Sequence, residues 1–105
     1  MNKEEIKNAV SNGRVEWLKH SLERIMERGI SRETVREVLT SGEIIEDYPD
    51  DKPYPSALFL CRIKGEAIHV VVAYDSLTRY CFVITAYKPH EGHFEPDFKT
   101  RRRYE

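Results

Sequence analysis

The chain has 105 residues, of which 40% are hydrophobic and 33% are charged, and its formal net charge is −1. This length supports one domain with its own core, and the near-zero charge argues against a protein that binds nucleic acid through bulk electrostatics alone. No signal peptide is recognisable, and the longest apolar stretch is far shorter than the roughly 20 residues of a membrane span. The two cysteines lie in apolar runs, where free thiols behave as small hydrophobic groups. Together these observations predict a single domain over residues 1–105 that is cytoplasmic and makes no contact with a membrane.

The first part of the chain has the apolar spacing of helices. We predict a helix over residues 2–11, a second helix that ends at Arg28, and a third helix over residues 31–40. Residues 14–18, between the first two, are interpreted as an extended segment. Gly42 ends the third helix.

From Glu43 onward the spacing changes to the alternation typical of strands. The predicted strands are residues 43–47, 56–63, 66–75 and 80–87. Residues 48–55 contain three prolines, so this acidic segment must be a loop. Since Tyr48 and Tyr54 can pack back, we expect the loop to cover the edge of the sheet or the mouth of a cleft. Helices followed by strands predict an α+β domain, with N-terminal helices on one face of a four-stranded, mainly antiparallel sheet.

Strand alternation predicts which side chains share a face of the sheet. We place a two-residue turn at Lys64-Gly65 and put His69 opposite Thr85 across the last hairpin. The large apolar side chains are then expected to face the helices: Ile68, Val70, Val72, Tyr74, Tyr80, Phe82, Ile84 and Ala86. The other face, expected to be partly open, carries Arg62, His69, Thr85 and Tyr87. This register also puts Cys61 and Cys81 on opposite faces, which excludes a disulfide between them.

The polar face contains residue types that suit cleavage of RNA without a metal. Such cleavage needs a base near the 2′-hydroxyl, an acid at the leaving 5′-oxygen, and cations that stabilise charge on phosphorus. His69 titrates in the useful range, Arg62 offers a two-pronged phosphate contact, and Tyr87 carries a hydroxyl. We take these three as candidate catalytic residues and Lys88 as an RNA contact, and we predict no metal or cofactor. The alternative is a structural His69 that is bonded to a backbone carbonyl or to a tyrosine.

Two further groups of basic residues are candidate sites. His20, Arg24 and Arg28 share one side of the second predicted helix. We assign His20 and Arg24 as competing catalytic candidates and Arg28 as an RNA contact, although a solvated helix face with Glu–Arg pairs has the same spacing. The basic tail, residues 99–105, could contact RNA phosphates or an acidic partner, or form a solvated chain end. The RNA contacts predicted in the tail are Arg101, Arg102 and Arg103.

These residues occur in motifs that resemble a known family. The motifs are His20-x3-Arg24-x3-Arg28-Gly29-Ile30-Ser31, then Ile68-His69-Val70-Val71-Val72-Ala73, then Ile84-Thr85-Ala86-Tyr87-Lys88-Pro89. They resemble a widespread prokaryotic domain family of unknown function that is remotely similar to the RelE, BrnT and MqsR toxins, small ribonucleases of toxin–antitoxin pairs. The resemblance implies a RelE-like α+β domain and a site role for the histidine and arginine of the first motif. It also implies a small antitoxin protein encoded nearby, of zinc-finger or helix-turn-helix type.

Our leading hypothesis from the sequence is a toxin that acts as a metal-independent ribonuclease on single-stranded or ribosome-associated RNA. RelE-like toxins are usually basic, and the net charge of −1 departs from that pattern. The rival hypothesis is a non-catalytic protein-binding module that docks a partner through an exposed strand edge and the acidic loop over residues 48–55.

Overall fold

The computed structural model describes residues 1–90 and 92–102. In this part of the chain three helices, α1 (Lys3–Ser11), α2 (Lys19–Glu27) and α3 (Arg32–Ser41), combine with five strands. The strands are β1 (Val15–Trp17), β2 (Glu43–Tyr48), β3 (Ser56–Ile63), β4 (Glu66–Asp75) and β5 (Tyr80–Tyr87). They form one sheet in the order β1-β5-β4-β3-β2. The α+β prediction is confirmed, whereas the prediction of four strands is wrong because a fifth strand makes the sheet mixed.

The additional strand is β1, which lies at one edge of the sheet and pairs parallel with β5. Val15 lies opposite Cys81 and Trp17 opposite Val83. The backbone N–H of Cys81 also donates to the carbonyl of Arg14 at 3.0 Å, which extends the ladder by one bond. A three-residue strand is too short to show a periodic pattern, so the sequence indicates only an extended segment here.

The helices end where the sequence predicts, and one end requires glycine. The side chain of Ser31 accepts a hydrogen bond of 3.1 Å from the backbone N–H of Thr34, which caps the start of α3. At the other end, a Cβ on Gly42 would lie 2.4 Å from the carbonyl oxygen of Val38 and 2.6 Å from that of Leu60. Only a residue without a side chain therefore lets α3 connect to β2 so close to β3.

The core lies between the helices and one face of the sheet, as predicted. Its fully buried helical members are Ile6, Ala9, Ile25, Val35, Val38 and Leu39, and those of the sheet are Ala57, Phe59, Val70, Val72, Cys81 and Ala86. No helix in residues 1–90 or 92–102 is long and apolar enough to cross a membrane.

The register of β3 with β4 is as predicted, but that of β4 with β5 is not. Lys64 and Gly65 form the tight turn, with φ of 53° and 81°, and Arg62 lies opposite Ala67. Across the last hairpin, Asp75 pairs with Tyr80 around a four-residue turn, one residue away from the predicted register.

A bulge at Ile84 then moves the register of β5 by a further residue. Val71 lies opposite Thr85 while Val72 lies opposite Val83, so Ile84 has no partner. His69 consequently lies opposite Tyr87 rather than Thr85. The faces of β5 near the turn are exchanged: Cys81 and Val83 pack against the helices, and Tyr80, Phe82 and Ile84 do not.

Both cysteines lie on the helical side, so the predicted opposite-face arrangement is wrong. Cys61 lies opposite Ile68, and Cys81 lies opposite Tyr74. These partners are six residues apart along β4, or about 20 Å, which is too far for a disulfide. The two thiols are free.

The sheet face away from the helices, which we call the outer face, is covered from two directions. From the loop after β2, Tyr54 stacks on Phe82 with ring centroids 5.3 Å apart, so this loop lies across the outer face rather than along its edge. From the other end, residues 92–102 fold back over β4, and Phe94 of this segment is only 3% exposed. We call residues 92–102 the C-terminal cover. The described part of the predicted basic tail belongs to it, with Lys99 and Arg101 exposed but paired with carboxylates of β2, whereas Arg103 lies outside the described residues.

Candidate functional site

His69, the histidine in the central strand β4, is fully buried beneath the C-terminal cover. Its Nε2 lies 2.8 Å from the carbonyl oxygen of Phe98, and its Nδ1 lies 3.4 Å from the hydroxyl of Tyr87. A carbonyl can only accept, so Nε2 carries the proton and Nδ1 is left to accept the Tyr87 hydroxyl. The face that was predicted to be partly open is therefore closed at this point.

Burial sets the protonation state of both members of this pair. Desolvation lowers the pKa of His69, opposed by the bond to the Phe98 carbonyl and the charge of Glu46. Desolvation raises the pKa of Tyr87, which is half-buried. At neutral pH His69 is therefore a neutral imidazole whose Nδ1 lone pair accepts from Tyr87, and Tyr87 is a protonated hydroxyl.

Aromatic rings of the C-terminal cover enclose the imidazole, and guanidinium groups lie on those rings. The Phe94 ring meets the His69 ring edge-on, with centroids 4.7 Å apart. Arg62 lies 5.5 Å from the centroid of Phe98, and Arg101 lies 5.0 Å from that of Phe94. Arg62 and Tyr87 thus share the outer face with His69 as predicted, but Arg62 contacts the cover.

A carboxylate that the sequence analysis did not select, Glu46, completes this cluster. Arg101 donates to it twice, from Nε at 2.8 Å and Nη2 at 3.0 Å, and the Tyr48 hydroxyl donates a third bond. Burial alone would raise the pKa of Glu46, but the hydrogen bonds from Arg101 and Tyr48 lower it below its ordinary value. A bulge at Ile45 brings Glu46 to the outer face, and nothing in the alternation of β2 indicates that bulge.

The second predicted group, on α2, is exposed and separate from this cluster. The His20 side chain is 91% exposed and pairs with Glu23 at 3.8 Å. Arg24 is exposed on the same helix. Within residues 1–90 and 92–102, no hydrogen bond, ion pair or ring contact joins His20 or Arg24 to His69 or Tyr87.

Those of the other predicted RNA contacts that lie within the described residues already have partners in the chain. Arg28 donates from Nη1 to the carbonyl of Ala86 at 2.9 Å and to the hydroxyl of Thr85 at 3.2 Å, so it ties the end of α2 to β5. Lys88 pairs with Glu66 at 3.2 Å. In the cover, Arg102 pairs with Glu95 at 3.4 Å.

An apolar groove lies beside the closed cluster on the outer face. Two adjoining cavities of about 360 and 230 Å³ share Leu18, Tyr54 and Phe82, and Ile84 adds to the second one. Leu18 and Ile84 are unusually exposed for their type, at 46% and 39%. In the described chain, no group of three or more histidine, cysteine or acidic side chains is placed to hold a metal ion.

Comparison with known proteins places the chain in a family without assigning an activity. No curated protein matches it. One family model matches residues 17–88, which include α2, α3 and the strands from β2 to β5 but leave out α1 and the C-terminal cover. This match spans more than half of the chain, and the protein therefore belongs to the family described as a domain of unknown function, DUF4258.

Proposed function

We propose that this protein is a RelE-like toxin that cleaves RNA without a metal, with His69 and Tyr87 as its proton-transfer pair. The supporting observation is the contact between a neutral imidazole and a protonated phenol, with Nδ1 and the hydroxyl 3.4 Å apart and Arg62 on the same face. Burial lowers the pKa of His69 and raises that of Tyr87, so at pH 7 the imidazole is unprotonated and the hydroxyl is protonated.

The proposed reaction is an internal transesterification. The imidazole of His69 takes the proton of a ribose 2′-hydroxyl, and that oxygen attacks the adjacent phosphorus. The bond to the 5′-oxygen breaks, and this oxygen takes the proton of Tyr87, which leaves a 2′,3′-cyclic phosphate. The imidazolium then returns a proton to the tyrosinate, so that both residues recover their starting forms. Arg62 stabilises the charge on the phosphoryl oxygens.

RNA can reach His69 only when the C-terminal cover moves away, so the described state is the resting state of the proposed enzyme. The two ion pairs from the cover to β2, Arg101 with Glu46 and Lys99 with Glu43, involve partly exposed side chains. Such pairs contribute about 0 to 1 kcal/mol each, and RNA must also offset about 1.5 to 3 kcal/mol for exposing the Phe94 side chain. The exposed basic side of α2, with His20 and Arg24, is the proposed first contact for RNA phosphates.

Expression of the full chain in cells without a partner gene tests this proposal. We expect growth arrest, and we expect His69→Gln to abolish it, because glutamine keeps a donor for the Phe98 carbonyl but cannot take up a proton. The matched control is His93→Gln, which changes an exposed histidine. A small antitoxin encoded beside the gene should suppress the arrest. Unchanged growth with the wild-type chain would refute the toxin proposal.

The alternative is a non-catalytic protein-binding module, and the apolar groove favours it. Glu16 and Asp75 line this groove together with Leu18 and Tyr80. The matching partner is a segment with apolar side chains flanked by basic ones. If the chain neither cleaves RNA nor slows growth, this alternative becomes the better account.

A further inference from the structure

We infer that a cavity between α1 and the turn before β5 binds the phosphate group of a sugar phosphate. The cavity has a volume of about 260 Å³ and is lined by Glu5, Asn8, Arg14, Tyr74 and Arg79. It lies by the helices, at the end of β4 opposite to His69, and it is therefore a different site from the proposed catalytic pair. Its volume is below that of pockets for drug-sized ligands, which suits a phosphate ester of a small sugar.

Arg14 is held in place by its backbone and by its side chain. Its carbonyl accepts the N–H of Cys81 at 3.0 Å, and its Nε donates to the carbonyl of Arg79 at 3.1 Å. The side-chain bond uses one edge of the guanidinium and leaves the terminal nitrogens for a ligand. A guanidinium fixed in this way offers a pre-organised fork for a phosphate group.

Arg79 supplies the second positive charge. Its backbone adopts a conformation that is unfavourable for residues with a side chain. Its φ is 64°, in the left-handed region where glycine or asparagine is preferred. The turn that holds it is fixed by Asp75, whose side chain accepts bonds from the N–H of Leu77 at 2.9 Å and the hydroxyl of Thr78 at 3.0 Å. An arginine kept at a strained position that lines a cavity indicates a role for its charge.

The charges of the cavity are not neutralised internally. Among the described residues, neither Arg14 nor Arg79 forms an ion pair, and Glu5 forms none. Two guanidinium groups against one carboxylate leave a net positive cavity, to which the Asn8 amide adds a neutral donor. Glu5 accepts a hydrogen bond from the Tyr74 hydroxyl, and its second carboxylate oxygen is left to accept one from a sugar hydroxyl, which specifies a phosphate ester with a neighbouring hydroxyl.

The hydroxyl of Tyr74 bonds to Glu5 and fixes this carboxylate in the cavity. Burial and the nearby Glu5 raise the pKa of Tyr74, while the two arginines act in the opposite direction, so the hydroxyl is protonated at neutral pH. Two arginine forks and the Asn8 amide together form the donor set for phosphate oxygens, while the phenol is bonded to Glu5.

Titration of the full chain with ribose 5-phosphate, followed by NMR and calorimetry, tests this inference. We expect saturable binding that Arg14→Ala weakens by about tenfold or more, through loss of a charged fork. Arg79→Gly should weaken binding similarly while the melting temperature stays the same or rises, because glycine relieves the left-handed strain. Arg32→Ala changes an exposed arginine elsewhere and should leave binding unchanged.

The same titration distinguishes a small sugar phosphate from an RNA backbone as the source of the phosphate group. It also tests the cavity independently of the proposed toxin activity. Tighter binding of ribose 5-phosphate than of a short oligoribonucleotide supports the sugar-phosphate site, and the reverse order would overturn it in favour of an RNA-backbone contact. His69→Gln should bind like the wild type, so a failed toxin proposal leaves this inference intact. Absence of saturable binding, or equal affinity of the wild type and Arg79→Gly, would overturn it.

Discussion

Arg101 and Glu46 join the C-terminal cover to β2 through two hydrogen bonds of 2.8 and 3.0 Å, although 55 residues separate them along the chain. Arg101 also lies 5.0 Å from the centroid of the Phe94 ring, which meets His69 edge-on. One side chain therefore connects the surface of the cover to the buried histidine. It acts together with the buried Phe94 ring and the bond from His69 to the Phe98 carbonyl to hold the cover in place.

Arg101→Ala should loosen the cover and raise the pKa of His69 toward its ordinary value of 6.5. Water reaches the imidazole and the positive charge that lowers its pKa is gone, and relief of desolvation, the largest of the causes, outweighs loss of the Phe98 carbonyl bond. The loss of unfolding free energy should be small, about 1 kcal/mol or less. NMR titration of the imidazole measures the shift, with Lys7→Ala as an exposed control. An unchanged His69 pKa would show that Arg101 does not hold the cover.

The free energy of unfolding should fall as the pH is lowered below about 6.5, because of His69. Its pKa is lowered in the folded state, so the unfolded chain binds the proton more readily between the folded pKa and 6.5. The stabilisation is present above pH 6.5 and is lost as the pH falls through the folded value. Urea unfolding at pH values of about 7.5, 6 and 5, which bracket the ordinary histidine pKa, measures this change in the free energy of unfolding.

The same series in His69→Gln separates this effect from that of Glu46. The pKa of Glu46 is lowered from its ordinary 4.5, so its contribution is lost only at more acidic pH. The free energy of unfolding of the variant should therefore depend less on pH between about 7.5 and 5, the range that contains the ordinary histidine pKa. An identical slope in the variant and the wild type would contradict the assigned pKa direction of His69.

Gly42→Ala should destabilise the fold by about 1 to 3 kcal/mol, because the added methyl meets two backbone carbonyls that cannot move independently. Chemical denaturation measures the change. Ser41→Ala is the matched control, since Ser41 is the exposed residue immediately before it. If both variants lose the same stability, the close approach of α3 to β3 is not the cause.

Much of the fold could be predicted because local residues determine it. Gly29, Ser31 and Gly42 mark helix ends, and Lys64-Gly65 is a turn whose two positive φ values fix the register of β3 with β4. The register of β5 could not be predicted, since the bulge at Ile84 leaves no mark in the alternation. The bulge at Ile45 could not be predicted for the same reason. Without it, strict alternation along β2 would put Glu46 on the helical face rather than on the outer face.

The structure brings together three of the predicted candidate residues, but it closes the face on which they lie. His69, Arg62 and Tyr87 share a face because two register changes of one residue each restore the original parity at Tyr87. The burial of His69 depends on the C-terminal cover, whose residues have no strand or helix period. In residues 92–102, Phe94 and Phe98 alone indicate that the segment packs on the sheet.

The most direct test of the central claim is the rate at which the purified full chain cleaves a single-stranded oligoribonucleotide in the presence of a chelator. The account predicts a 2′,3′-cyclic phosphate product, faster cleavage by Arg101→Ala, and a loss of about 100-fold or more in His69→Gln. Tyr87→Phe should be slowed while remaining folded. Absence of cleavage at high protein concentration, or equal rates for the wild type and His69→Gln, would contradict the account.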